Sequence, residues 1–195
     1  MRSDIAVVIL AGGEGSRIGG HKPLRQLAGQ RLIDHALQQA AAWSDLVAVA
    51  VRDPQQVGPI TVPVIIDDPD VAGPLAGLIS ALRFATETGR AFVLMIAADM
   101  PFLPNDLLDR LALAIGKCAC ALASSGGHVH PVCGLWRTSA LDRLDEYLAS
   151  GRRSLKGFAQ TIGCREAEWS VGPLDPFFNV NTADELARAE RHAGG

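Results

Sequence analysis

At 195 residues, with 48% apolar and 20% charged residues and a formal net charge of −3, the chain holds enough apolar sequence for one substantial core. It has no broad basic field for nucleic acid or an anionic membrane, so any polyanion must meet a local site. These values predict a single domain over 1–195. Cys118, Cys120, Cys133 and Cys164 form no C-x-x-C pair, and a chain of this size needs no disulfide staples; reduced thiols and a cytoplasmic location are expected.

Ile5–Leu10 is a continuous apolar run, the pattern of a parallel strand buried on both faces. Its resemblance to a signal-peptide core fails because Asp4 precedes it and a glycine loop stands where a small-residue cleavage site would be. Val7 to Leu24 then carries five glycines together with Arg17 and Lys22. Glycines let backbone N–H groups approach an anion, and the two cations can follow charge during a reaction, so the loop reads as a phosphate cradle. It fits neither the P-loop, because Lys22 lies between His21 and Pro23, nor G-x-G-x-x-G, because the last position counted from Gly13 is Ile18.

Helical spacing from Leu32 to Ala41 and a second strand over Leu46–Val51 complete a strand–loop–helix–strand unit. A short strand is expected over Val62–Ile66, followed by the turn Asp67-Asp68-Pro69-Asp70, the stretch Gly73-Pro74-Leu75-Ala76-Gly77 and a helix with the stripe Leu75, Leu78, Ile79, Leu82 and Ala85. The nearly all-apolar Ala91–Ala97 predicts a central strand that delivers Asp99-Met100-Pro101 at its carboxyl end, with another helix behind it. This alternation predicts a three-layer α/β/α fold with a Rossmann-like, mostly parallel sheet whose ligands sit beyond the carboxyl ends of the strands.

From Lys117 the pattern changes. Cys118–Ser124 and His128–Trp136 flank Ser125-Gly126-Gly127, which predicts a hairpin and an antiparallel addition to the sheet. Thr138 is expected to cap a helix running to about Leu148, followed by the basic turn Gly151-Arg152-Arg153-Ser154 and an amphipathic piece over Leu155–Ile162. Pro176–Asn181 reads as a strand or extended segment, and Thr182 with Glu185 forms a capping box for a last helix.

The loop pattern LAGG-x-x-S-R-x-G-x-x-K resembles the signature of nucleotidyltransferases that activate phosphates and sugars. Four further motifs occur in the order found in the molybdenum cofactor guanylyltransferase (MobA) family: Gly73-Pro74-Leu75-Ala76-Gly77, Asp99-Met100-Pro101-Phe102-Leu103-Pro104, His130-Pro131 and Phe178-Asn179-Val180-Asn181-Thr182. The resemblance implies transfer of GMP from GTP to the terminal phosphate of molybdopterin, with Mg²⁺ as cofactor. The substrates would be GTP and molybdopterin or its molybdenum form, with transient contact to molybdoenzymes or their chaperones, by a monomer. The N-terminal half would bind nucleotide and the C-terminal half the pterin.

By the same resemblance, Asp99 is the metal ligand, while Lys22 and Arg17 stabilise charge as pyrophosphate leaves. Asp99 could instead merely cap a turn, and Arg17 could be a surface ion-pair residue. Leu10, Ala11, Gly12 and Gly13 match backbone positions shaping the guanine pocket. Asp67, with Asp68 as its rival, matches an acidic nucleotide contact, and Gly73, Pro74 and Leu75 bring main chain toward the nucleotide. Arg153 matches an arginine for the molybdopterin phosphate, and Asn179 and Asn181, two apart on extended chain, match pterin-side or metal-shell contacts. His128 and His130 share a strand face, but without a third ligand a packed or hydrogen-bonded His130 is expected.

Two departures stand out: His21 where the family usually has Asp, and Ala50 where it often has Asn. They leave open a nucleotide- and pterin-binding adaptor without catalysis. The enzyme alternative is the related cytidylyltransferase, against which Gly13 argues, since the cytosine-using branch tends toward LAAG.

Overall fold

The computed structural model describes residues 2–13 and 22–194. Arg17 and His21 lie outside the described residues.

β1 (Ile5–Leu10) pairs in parallel with β4 (Val47–Val51) on one side and β6 (Phe92–Ala97) on the other, and β5 (Val64–Ile66) continues in parallel from β4. Beyond β6 come β8 (His128–Arg137), β7 (Cys120–Ser125) and β9 (Cys164–Trp169), giving seven strands in the order β5-β4-β1-β6-β8-β7-β9. β8 alone runs against its neighbours. β6, apolar throughout, is the middle strand of the seven, with both its faces and both its edges covered.

Alternate residues feed two cores. Val7, Ile9, Leu94 and Ile96 face α1 (Leu32–Trp43) and α3 (Leu107–Ile115), whereas Ala6, Val8, Val93 and Met95 face α2 (Pro74–Glu87), α4 (Leu144–Ala149) and α5 (Leu155–Ile162). The result is the expected three-layer sandwich. On α2 the predicted stripe from Leu75 to Ala85 is buried throughout.

Two-residue turn geometry closes the β7–β8 hairpin, with Gly126 and Gly127 at φ +54° and +77°, the left-handed pair such a turn requires. Thr138 does not cap a helix. Its hydroxyl donates to the carbonyl of Ala91, a 3₁₀ segment covers Thr138–Arg143, and α4 begins only at Leu144. Docking to the end of β6 takes the hydroxyl that capping would have used. Pro176–Asn181 is extended and turned chain that joins no sheet, while α6 (Ala183–Ala193) carries the full capping box of Thr182 and Glu185.

Two elements have weak sequence signals. β2 (Gln26–Leu27) and β3 (Gln30–Arg31) form a small hairpin turning at Ala28, whose φ of +49° no turn residue announces. β9, CREAEW, buries only Ala167 and Trp169, its charges facing outward as suits an edge strand. Among the described residues no helix is long and apolar enough to cross a membrane.

Candidate active site

A cleft of ≈ 590 Å³ opens at the carboxyl ends of β1, β4 and β6, lined by Leu10, Gly12, Gly13, Lys22, Arg52, Asp67, Gly73, Pro74, Gly77, Ala97, Asp99, Val132 and Asn181. It has two chemically distinct ends.

At one end, Lys22 pairs with the carboxylate of Asp99 and donates to Asn181 Oδ1 at 2.6 Å. Lys22 is only 9% exposed, so its charge depends on these two acceptors. Asn179, its amide nitrogen toward Asp99, donates to both carboxylate oxygens at 2.6 and 3.2 Å. The segment carrying both asparagines is pinned between them. Val180 N donates to the carbonyl of Asp99 at 2.9 Å, and the Val180 side chain is buried with Leu27, Leu32 and Ala189. The spacing of two thus sends both carboxamides toward the charged pair and the valine into the core.

The other end is built around Asp67, whose backbone N–H continues the β5 side of the sheet by donating to Val51 O at 2.8 Å. Its Oδ1 is buried with no hydrogen-bond partner among the described residues, and burial pushes its carboxyl pKa up, with Arg52 pulling the other way. Gly12 makes this placement possible: a Cβ there would lie 2.6 Å from Asp67 Oδ2. Gly77 does the same, since a Cβ would lie 2.6 Å from Leu10 Cδ2 and 3.4 Å from Asp67 Oδ1. The rival Asp68 is turned away, accepting from Arg83 at 2.8 Å and from Asp70 N at 3.1 Å.

Some predicted positions fall outside the cleft lining. Ala11 is buried and donates its N–H to Ala50 O at 2.8 Å, and Leu75 is fully buried on α2. These two shape the site from behind. Arg153 is exposed and donates to the carbonyls of Leu148 and Arg152, both at 2.8 Å; it does not line the cleft. Sequence reasoning missed Arg52, Ala97 and Val132 as wall residues, whereas Gly77 belongs to the 73–77 stretch expected to bring main chain to the nucleotide. Arg52 was hidden inside a turn, Arg52-Asp53-Pro54, and only the parallel pairing of β4 with β1 and β5 carries it to Asp67.

Among the described residues there is no group of three or more His, Cys, Asp or Glu side chains able to hold a metal. A single carboxylate beside carboxamide oxygens suits a hard cation that takes most of its ligands from water and phosphate. Asp99 and Asn181 Oδ1 are such oxygens.

A mostly parallel sheet whose strand ends present a glycine-walled cleft, a lysine and a carboxylate defines a nucleotide-binding α/β protein. The model of the MobA-like NTP transferase domain matches residues 7–163, and the chain belongs to that family. It is 42% identical over 194 residues to the molybdenum cofactor guanylyltransferase of Bradyrhizobium sp. (strain ORS 278), covering 95% of this chain and 92% of that one. The enzyme of the same name from Mesorhizobium japonicum is 39% identical, covering 98% of this chain and 97% of its own. Among solved structures, molybdopterin-guanine dinucleotide biosynthesis protein A from Archaeoglobus fulgidus superposes with a TM-score of 0.77 at 26% identity, covering 97% and 98% of the two chains.

Proposed function

We propose that this protein transfers GMP from GTP to the terminal phosphate of molybdopterin, with release of pyrophosphate. The observation that carries the reading is the two-ended cleft: Lys22, Asp99 and Asn181 gathered at one end, and a buried, unpartnered carboxylate oxygen of Asp67 at the other. The relatives named above carry that activity in their names.

In this reading an oxygen of the acceptor phosphate attacks the α-phosphorus of GTP. A P–O bond forms there as the bond to the bridging oxygen breaks, and the electron pair leaves with pyrophosphate. The nucleophile is a phosphate monoester, largely dianionic near neutral pH because its second pKa is ~6, so no general base is needed. The obstacle is repulsion between anions, which Lys22 lowers as charge moves to the leaving group. Mg²⁺, when bound, adds charge neutralisation on the phosphates, and Asp99 with Asn181 Oδ1 would hold it. Asn179 keeps the Asp99 carboxylate oriented. Arg17 and Arg153 are assigned to the phosphates of GTP and molybdopterin by the family pattern alone.

At the other end, Leu10, Gly12, Gly13, Gly73 and Pro74 bring main chain to the nucleotide. Asp67 supplies an acceptor for the N1–H and N2–H donors of guanine, and Arg52, beside it, supplies a donor. Cytosine presents the opposite pattern on that edge. Turnover with molybdopterin and Mg²⁺ is therefore expected to run on GTP in preference to CTP, read as pyrophosphate release with each nucleotide. Faster turnover on CTP would make the protein a cytidylyltransferase, and no release with either would make it an adaptor. A cytoplasmic location accords with the free cysteines.

Asp67→Asn separates binding from folding. Because Asp67 holds its proton more tightly folded than unfolded, its contribution to stability is greatest below the ordinary carboxylate range and is lost as pH rises through the raised value. At neutral pH the neutral amide escapes that penalty, so a small rise in Tm is expected, limited by the solvent that still reaches the side chain. The same change removes a charged acceptor, so GTP is expected to bind about 10–100-fold more weakly. Differential scanning calorimetry and nucleotide titration check the two halves; a lower Tm with unchanged affinity would contradict both.

A further inference from the structure

Away from the cleft lining, three polar side chains meet at the turn end of the β7–β8 hairpin. The hydroxyl of Ser125, with Ser125 fully buried, lies 2.8 Å from His130 Nε2 and 2.9 and 2.8 Å from the two oxygens of Asp175. A serine, a histidine and an aspartate in contact invite comparison with a hydrolytic triad, but the order is wrong. Here the serine stands between the other two and has no exposed surface from which to attack. A hydroxyl has one proton. Facing a carboxylate, it donates that proton to Asp175 and accepts from His130, which fixes the imidazole as the Nε2–H tautomer.

What this cluster holds is the chain between β9 and α6. Asp175 Oδ1 also accepts from Phe177 N at 2.8 Å, and Asp175 O from Phe178 N at 3.0 Å. The Phe177 ring stacks on His130 with centroids 4.6 Å apart and meets Trp169 edge-on at 5.3 Å. Two and four residues further on are Asn179, on Asp99, and Asn181, on Lys22. The segment is thus tied at both ends, by Asp175 to the sheet and by Glu185, which accepts from the N–H groups of Asn181 and Thr182 at 2.7 and 2.9 Å. Between these ties lies every residue it contributes to the cleft.

We propose that Ser125, His130 and Asp175 form a positioning latch that holds Asn179 and Asn181 in register with Asp99 and Lys22. None of the three lines the cleft; they act through Phe177. The proposal rests on the transferase reading for its kinetic consequence, but the latch itself is a statement about where the two carboxamides sit. It also predicts which substitution is tolerated. In Asp175→Asn, Oδ1 can still accept from Phe177 N while the amide donates to Ser125, which then turns its proton toward His130. The imidazole must then switch to the Nδ1–H tautomer, its ring staying neutral because burial disfavours the charged form. Asp175→Ala has no such escape.

The test compares the full-length wild type with Asp175→Ala, Asp175→Asn and Ser125→Ala, each confirmed folded by circular dichroism. In ¹H–¹⁵N spectra the side-chain NH₂ resonances of Asn179 and Asn181 should lose their dispersion in Asp175→Ala and Ser125→Ala and keep it in Asp175→Asn. Long-range ¹H–¹⁵N spectra should show His130 changing tautomer in Asp175→Asn alone. In turnover assays the two alanine variants should lose about tenfold or more in kcat, with KM for GTP within about twofold, since misplacement by about 1 Å suffices for such a loss and the base end is untouched. Wild-type carboxamide resonances in Asp175→Ala, or an Asp175→Asn variant as impaired as the alanine one, would overturn the latch. Absence of turnover in the wild type would count against the transferase reading only, and the spectra would still decide the latch.

Discussion

Asp99→Ala is expected to lower pyrophosphate release by about 10³-fold, the scale seen when a fixed charge facing a developing anion is removed. Two carboxylates line the cleft among the described residues, and Asp67 lies at the opposite wall, where it cannot replace Asp99. Asp99 stands just past the end of β6, a strand paired on both edges at the middle of the sheet, so it is carried on one of the most constrained parts of the chain. Its carbonyl and its carboxylate each receive a bond from the 179–181 segment, from Val180 N and from the Asn179 amide. Nucleotide affinity should change much less than turnover, because Gly12, Gly77, Leu10 and Asp67 lie beyond the reach of the substitution. The check is steady-state pyrophosphate release beside equilibrium binding of GTP. An alanine variant that binds normally and still turns over would remove Asp99 from the chemistry.

The reasons why the place of Asp99, just past the end of β6, could be read from sequence apply to the framework as a whole. A strand buried on both faces must be apolar throughout, and the residue that ends it is set by the chain itself; β1 and β6 therefore announce both their span and what they deliver. The hairpin was equally legible, because two glycines between alternating runs allow few other turns. Where tertiary contact competes with local chemistry, the reading failed. Thr138 has a good capping side chain, but it lies inside the 3₁₀ segment after its N-cap Arg137, with its hydroxyl turned to the carbonyl of Ala91. β9 pairs on one edge with most of its side chains in water, so its sequence shows charge and not burial. Which of Asp67 and Asp68 faces the cleft could not be read, because it turned on Arg83, a residue fifteen positions beyond Asp68 whose helix places it beside Asp68. Arg52 was unreadable for a related cause: a cation before an Asp-Pro turn looks like any solvated turn until the sheet order sets it against a buried carboxylate.

Lys22→Met should lower turnover by about 10²–10³-fold, and a cycle with Asp99→Asn should show that the two residues are one unit. Their side chains are 11% and 21% exposed, so each charge is largely desolvated and relies on the other. Removing Lys22 alone leaves Asp99 with the Asn179 amide; removing the Asp99 charge alone leaves the ammonium with Asn181 Oδ1. Each single change is therefore expected to cost about 1–3 kcal/mol in urea unfolding, with the double variant losing less than the sum because no unpaired charge remains. Residual activity should follow the same logic. Once Lys22 is gone, the further loss from Asp99→Asn should be smaller than in the wild type, since both residues serve the same developing charge. Strictly additive stabilities together with strictly multiplicative rates would mean that the pair shares a contact but not a function.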